Sequence, residues 1–336
     1  MNKINVLVMT DIQPEMKAEI AAVDLERINM VDASKVWSAP DVGDGLVGAE
    51  EDPVLDELLK DADVIYGYSP PPNVVKRAPK LKWYQTMLAG VDHFLTPELI
   101  KSDIMITNMS GVHSSPVAEV AVTMFMMLAK NAPYFMENKR LGVWDREWEP
   151  VLIDGLIAGV VGLGNIGRNI ARLCHALNME VLATRRSAKA GDTEEYVDRM
   201  YPLADLDAML PLCDVVFMVL PNTPESKHVL DARRIALLKP SAYIINVGRG
   251  LTIDEQAMAE ALRDGKIAGV GLDAYTQEPL PKDSLLWKLP NAVLSPHVSG
   301  KMKDYDVRTN KIFCDNLRRY VNGEPLKNVV NKEMGY

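Results

Sequence analysis

The chain has 336 residues, more than one core comfortably serves and the length of two domains of roughly 150 each. Apolar residues make up 48% and charged residues 25%, and the net charge is −9 with no Lys/Arg-rich stripe, so a nucleic-acid partner is not expected. No stretch reaches the roughly eighteen apolar residues of a membrane helix, the opening run Ile4–Met9 is too short for a signal peptide, and Cys174, Cys213 and Cys314 suggest neither disulfides nor a metal site. A cytoplasmic protein without metal is the expectation.

The first part of the chain alternates strand and helix. Strand Ile4–Met9 is followed by a helix from Pro14 and a glycine-bearing loop over Ser38–Asp52. Strand Ala62–Tyr68, helix Pro72–Ala78 and strands Leu81–Met87 and Ile104–Asn108 come next. Such alternation predicts a parallel sheet with helices on its faces. A long helix is predicted over Pro116–Lys130, with Ser115 as N-cap and Pro116 in its first turn. Its apolar residues nearly encircle it, so burial is expected, with Met124, Met126 and Met127 filling core. Residues 133–150 place Trp144 and Trp148 among charges, an aromatic arm suited to packing on another subunit or to forming a local flap.

Residues 157–168 read Ile-Ala-Gly-Val-Val-Gly-Leu-Gly-Asn-Ile-Gly-Arg, so that Gly162, Gly164 and Gly167 close an apolar strand and open a helix over Asn165–Leu177. The first glycine suits a tight turn, the second lets backbone approach a pyrophosphate, and the third lets helix pack on strand. The helix N-terminus adds N–H groups and a positive dipole end for phosphate. A second strand–helix series follows: strands Val181–Thr184, Asp214–Leu220, Ala242–Val247, Ile267–Leu272 and Ala292–Ser295, and helices Asp231–Leu238 and Asp254–Asp264. An amphipathic helix from about Lys301 to Val321, stopped by Asn322-Gly323, ends the pattern and could fold back onto the first domain, putting a cleft between the two.

Three strand-end segments carry candidate chemistry. Gly248-Arg249-Gly250 offers a forked guanidinium, which fits a carboxylate bidentately. Glu278 and His297 each lie in a Pro-marked loop after a strand. A carboxylate beside an imidazole fixes its tautomer and favours its proton-donating form.

Taken together these segments resemble the D-isomer-specific 2-hydroxyacid dehydrogenases over nearly the whole chain. The resemblance is carried by Leu88-Ala-Gly-Val-Asp92, Val117-Ala-Glu119, Gly162–Gly167, Leu220-Pro221-Asn-Thr223 and Asn246–Gly250, and by Gly271-Leu-Asp273, Glu278-Pro279-Leu280 and Ser295-Pro-His297. It implies two Rossmann-like doubly wound α/β domains. One is a flavodoxin-like substrate domain from residues 1–112 and 297–336, and the other an NAD(P)-binding Rossmann domain over 113–296. It also implies a hydride exchange between NAD(P)H and a small 2-oxo acid such as glyoxylate or hydroxypyruvate. Arg249 would hold the substrate carboxylate, His297 would act as acid and base, and Glu278 would orient His297. Leu88, Ala89 and Gly90 would cradle the carboxylate with backbone amides. Asn165 and Ile166 would meet the pyrophosphate and Asp273 the nicotinamide, with Leu220, Pro221, Thr223, Val247, Gly248 and Gly300 also at the cofactor. A homodimer is the family expectation. The same fold also serves as a nucleotide-sensing corepressor and as formate or phosphite dehydrogenase. Against these stand the absence of a low-complexity segment and the apolar residue at Leu88, where the formate type would want an amide.

The choice of nicotinamide cofactor is read from the strand after the fingerprint. NAD-binding units place an acid about twenty residues on, to grip the ribose hydroxyls. Here the strand ends in Arg185-Arg186-Ser187, with no Asp or Glu between Glu180 and Asp192. Two guanidiniums and a hydroxyl suit a 2′-phosphate, so NADP is expected to be preferred. An arginine stacking on adenine, with either cofactor bound, is the alternative.

Overall fold

Short runs of three to six residues make the strands of two parallel sheets, the inner strands largely apolar and buried on both faces, and the longer segments between them make the helices, several of them opened by Pro or Asp. The computed structural model describes residues 3–37, 52–91, 93–147, 149–189 and 191–335. Asp92, Trp148 and all of the predicted 38–52 loop except Asp52 lie outside the described residues. The chain divides into two compact units, 1–112 with 302–336, and 113–301.

In the first unit, strands β1 (Ile4–Val8), β2 (Ile28–Asp32), β3 (Val64–Gly67), β4 (Trp83–Thr86) and β5 (Met105–Thr107) form a five-stranded sheet in the order β2-β1-β3-β4-β5. All pairings are parallel, and the order is the flavodoxin-like one. Helices α1 (Pro14–Ala21), α2 (Pro53–Leu59), α3 (Val74–Arg77) and α4 (Pro97–Lys101) connect the strands. Strand β2 was not expected from its sequence, Ile-Asn-Met-Val-Asp, because it is an edge strand with only Ile28 fully buried.

The second unit begins with α5 (Ser114–Ala129) and α6 (Ala132–Leu141). The long helix starts two residues before the predicted Pro116: His113 is its N-cap, and Ser115 instead donates to Glu119 Oε1 at 2.9 Å. Of its three methionines, Met124 is core whereas Met126 is exposed. No residue of α6 is buried, and beyond it Trp144 is 90% exposed. Then come β6 (Ile157–Val161), α7 (Asn165–Ala176), β7 (Glu180–Arg185), β8 (Arg199–Pro202), α8 (Leu206–Met209) and β9 (Val215–Met218). The unit is completed by α9 (Ala232–Ile235), β10 (Tyr243–Asn246), α10 (Glu255–Arg263), β11 (Gly269–Leu272) and β12 (Ala292–Leu294). The seven strands pair in parallel in the order β12-β11-β10-β9-β6-β7-β8, a doubly wound sheet. Its core lies on both faces, under α5 and α7 on one side and under α8 and α10 on the other.

The last helix, α11 (Tyr305–Asn322), belongs to the first unit, where Phe313 stacks on Tyr66 with centroids 4.1 Å apart. Gly323 ends it at φ 70°, a left-handed turn that favours glycine. The division between the units falls after Lys301 rather than before His297. The reason is local: Val298 and Ser299 donate backbone N–H groups to Asp273 at 2.9 and 3.0 Å, tying that segment to the second sheet.

Candidate active site

Because all seven strands of the second unit run the same way, the loops after them open on one edge of the sheet. The strand order reverses at β6, which pairs with β7 on one side and β9 on the other, the topological position where α/β sheets take ligands. The fingerprint sits there, and its glycines differ in what a side chain would meet. Gly162 has φ +110°, and a Cβ on it would come 2.8 Å from Val219 O. One on Gly167 would lie 2.2 Å from Gly162 O, so helix and turn pack backbone to backbone. One on Gly164 would meet nothing within 4 Å. That open face, at the start of a twelve-residue helix with no side-chain cap, leaves room for a pyrophosphate against backbone; a dinucleotide fits the residues present. Asn165 and Ile166 form the first turn of that helix.

The neighbouring loops close on this turn. A Cβ on Gly248 would come 2.8 Å from Leu220 O, so the β10 loop abuts the β9 loop. In the β9 loop, Thr223 N–H donates to Ser226 Oγ at 2.9 Å, and Ser226 Oγ donates to Pro221 O at 2.6 Å. Ser226 is 93% buried and holds the Pro221–Thr223 turn together, a role that its place in a polar stretch did not reveal.

After β10, Val247 is buried and Arg249 half-buried. A Cβ on Gly250 would overlap Tyr275 C and O, so the arginine loop lies directly on the segment after β11. That segment carries Glu278, whose Oε1 accepts from Tyr275 N–H at 3.0 Å while Oε2 meets His297 Nδ1 at 2.8 Å. His297 follows β12 and adopts φ 54°, a left-handed conformation that few residues other than glycine hold without support. The support is Asp273, 1% exposed, whose Oδ1 accepts from Ser295 Oγ at 2.5 Å and Val298 N–H at 2.9 Å, and whose Oδ2 accepts from Ser299 N–H. Tyr275 O–H adds a bond to Ser295 O at 2.9 Å, and burial pushes that phenol's pKa up. The segments 273–278 and 295–299 are thus laced into one frame that fixes the imidazole. With Glu278 on Nδ1, the Nε2 edge of a half-exposed ring is left to face a reactant.

Of the expected trio, the structure joins Glu278 and His297 directly. Arg249 is linked to them through backbone packing; among the described residues, its side chain makes one hydrogen bond, to Gly248 O at 3.0 Å. Asp273 is committed to the His297 loop on both oxygens. Gly300 lies against His113, its carbonyl 3.0 Å from Nδ1, and burial holds that imidazole below its usual pKa while the carbonyl opposes the shift. Leu88, Ala89 and Gly90 lie in the first unit after β4. The Leu88 N–H is taken by Thr86 Oγ1 at 3.0 Å, which commits that amide within its own unit.

At the end of β7, Arg186 and Ser187 are exposed, and Arg185 is held by carboxylates. Its Nη1 is 2.9 Å from Glu194 and its Nη2 3.8 Å from Asp192. The carboxylates missing from the linear sequence directly after Glu180 are supplied by Asp192 and Glu194.

Comparison with known proteins agrees with this geometry. Residues 122–299, more than half of the chain, match the D-isomer specific 2-hydroxyacid dehydrogenase, NAD binding domain family. The chain belongs to the D-isomer-specific 2-hydroxyacid dehydrogenases. It is 33% identical over 266 residues to a glyoxylate reductase of Thermofilum pendens, covering 78% of each chain. To glyoxylate/hydroxypyruvate reductase B of Pectobacterium carotovorum it is 32% identical over 267 residues, 77% of this chain and 82% of the relative. A D-isomer specific 2-hydroxyacid dehydrogenase from Xanthobacter autotrophicus, solved with NADPH and MES, superposes with a TM-score of 0.80 at 27% identity, covering 100% of both chains. The second unit of this dehydrogenase is therefore a nicotinamide-dinucleotide domain of the Rossmann type. Among the described residues, no helix is long and apolar enough to cross a membrane, and no cluster of His, Cys, Asp and Glu suits a metal ion.

Proposed function

We propose that the protein reduces a short 2-oxo acid, glyoxylate to the achiral glycolate or hydroxypyruvate to its D-2-hydroxy acid, with NADPH preferred and NADH usable. The reading rests above all on the Glu278–His297 pair, 2.8 Å apart on the same sheet edge as the glycine cradle. The substrate preference is taken from the relatives named glyoxylate and glyoxylate/hydroxypyruvate reductase, and the cofactor preference from Arg186, Ser187 and the neighbour solved with NADPH.

The bound nicotinamide would supply the hydride to C2 of the substrate. Gly164, Asn165 and Ile166 would hold the pyrophosphate on the N-terminus of α7, and the Pro221–Thr223 and Val247–Gly248 loops would contribute to the nicotinamide half of the site. Arg249 turns its fork to the substrate carboxylate and draws charge toward the 2-oxo group. His297 gives the proton on Nε2 to the carbonyl oxygen as charge develops there, and takes it back in the oxidative direction. Glu278 keeps the Nδ1 proton in place and stabilises the imidazolium, while Asp273 keeps the loop that carries it from relaxing.

The purified protein, given NADPH or NADH and a panel of 2-oxo acids, is expected to consume reduced cofactor at 340 nm and to yield the 2-hydroxy acid, of D configuration wherever C2 of the product is a stereocentre. His297→Asn should lower kcat by about 10²–10⁴-fold with cofactor affinity little changed. No turnover with any 2-oxo acid, or near-normal turnover by the His297 variant, overturns the reading.

A further inference from the structure

The carboxylate at 194 occupies a position that its place in the sequence conceals. Strand β7 ends at Arg185, where dinucleotide-binding units hold the group that reads the adenosine ribose. Beyond it the chain doubles back: Lys189 N–H donates to Asp192 Oδ2 at 3.0 Å, and Glu194 bridges antiparallel to Val197. The turn delivers Glu194 onto two cations at once. Its Oε2 lies 2.9 Å from Arg185 Nη1 and 2.9 Å from Arg168 Nη2, and its Oε1 accepts from Arg168 Nε at 3.2 Å. Arg168 is the residue immediately after Gly167, the last glycine of the fingerprint. Glu194 thus pins the first turns of α7 to the end of β7.

The Glu194–Arg185 arm of the bridge is partly shielded, at 21% and 29% exposed, whereas Arg168 is 44% exposed. The hydrogen bond from Arg168 leads in holding the Glu194 carboxyl below its usual pKa, and Glu194 in turn raises that of Arg168. With Asp192 3.8 Å from Arg185, the group of two guanidiniums and two carboxylates carries no net charge. Arg185 Nε is buried without a hydrogen-bond partner, so this guanidinium has donor capacity that the bridge leaves unused.

We propose that Glu194 is a specificity-determining residue for the cofactor's 2′-phosphate. It competes for Arg185 and repels a dianion, so that recognition of the phosphate falls to Arg186 and Ser187 and the preference for NADP over NAD is held down. The inference rests on the assignment of the nicotinamide cofactor to the Gly162–Gly167 turn. It adds an internal carboxylate that acts both by engaging an arginine and by its own charge. A preference of this kind is a difference between two affinities, and an opposing charge tunes it as effectively as an attractive one.

The test is calorimetric titration of the full-length protein and of Glu194→Gln with NADP and NAD, and with adenosine 2′,5′-bisphosphate and 5′-AMP as probes of the phosphate alone. The amide keeps an acceptor for both arginines and removes the charge. The dissociation constants for NADP and the bisphosphate should fall by about three- to tenfold, with those for NAD and 5′-AMP moving by less than about twofold. Arg185→Gln should then cost NADP affinity more in the Glu194→Gln background than in the wild type, a coupling that a merely structural bridge would not produce. Parallel shifts for phosphorylated and unphosphorylated ligands, or weaker NADP binding by Glu194→Gln, overturn the proposal while leaving the cofactor assignment intact. If the wild type binds none of the four ligands, the assignment fails and the proposal falls with it.

Discussion

Replacing Glu278 by Gln removes one charge and reverses one hydrogen bond at a known place. In the wild type, Oε1 accepts from Tyr275 N–H at 3.0 Å and Oε2 meets His297 Nδ1 at 2.8 Å. A glutamine holding its carbonyl on Tyr275 must turn its NH2 toward Nδ1, which then meets a donor and can only accept. The imidazolium, with N–H on both nitrogens, is disfavoured in two ways. The lost attraction between charge centres about 4 Å apart is worth about 1 kcal/mol in bulk water and about 4 kcal/mol at a protein surface of dielectric 20. His297 and Glu278 are 45% and 39% exposed, so the lower end applies, about 1–2 kcal/mol. The opposed donors add about 1–2 kcal/mol. A total of about 2–4 kcal/mol corresponds to a fall in kcat of about 30- to 1,000-fold. Steady-state reduction of glyoxylate followed at 340 nm reads it. The KM for cofactor should stay within about twofold, because the cradle at Gly164 is untouched. A folded Glu278→Gln enzyme that keeps more than half of the wild-type kcat would refute the assignment of this pair to proton transfer.

Other changes separate binding from folding. Gly164→Val points its side chain into open space, so it should fold with an unchanged melting temperature yet lose cofactor binding by at least about tenfold; Gly167→Ala, whose Cβ would sit 2.2 Å from Gly162 O, should instead lower the melting temperature. Asp273→Asn places an NH2 among three donors in a buried site. It should destabilise the protein by about 2–3 kcal/mol, read as a lower urea midpoint, with kcat falling as the His297 loop loosens. His113, held below its usual pKa mainly by burial, binds its proton more readily when unfolded. Its contribution is complete above about pH 6.5 and is lost as pH falls through its lower folded-state value. His113→Gln should therefore flatten the dependence of melting temperature on pH between about pH 7 and pH 5; identical slopes would show that another group governs it.

What was legible in the sequence is what backbone geometry dictates. Gly162 and Gly167 stand where a Cβ would collide with a carbonyl, and the strand before them is apolar because it is buried, so spacing and composition carried the signal. Glu278 and His297 were readable as types in like settings, but their contact depends on two loops laced by Asp273, a residue whose sequence context only suggested a ligand contact. Helix α6 escaped because it buries no residue and so shows no apolar stripe. Ser226 and Glu194 escaped because their meaning lies in turns, where a residue's partner is set by chain reversal rather than by periodicity. The carboxylates that meet Arg185, Asp192 and Glu194, lay beyond the span read in the sequence for the same reason.

The glycine turn, Arg249, Glu278 and His297 all lie within the uninterrupted stretch 113–301, whereas the other unit is assembled from both ends of the chain. Hereditary exchange of that single central cassette, with crossovers at only two points, would move the dinucleotide turn and the acid–base pair together. The flanking halves would then be free to diverge toward differently shaped acids without disturbing the inherited chemistry.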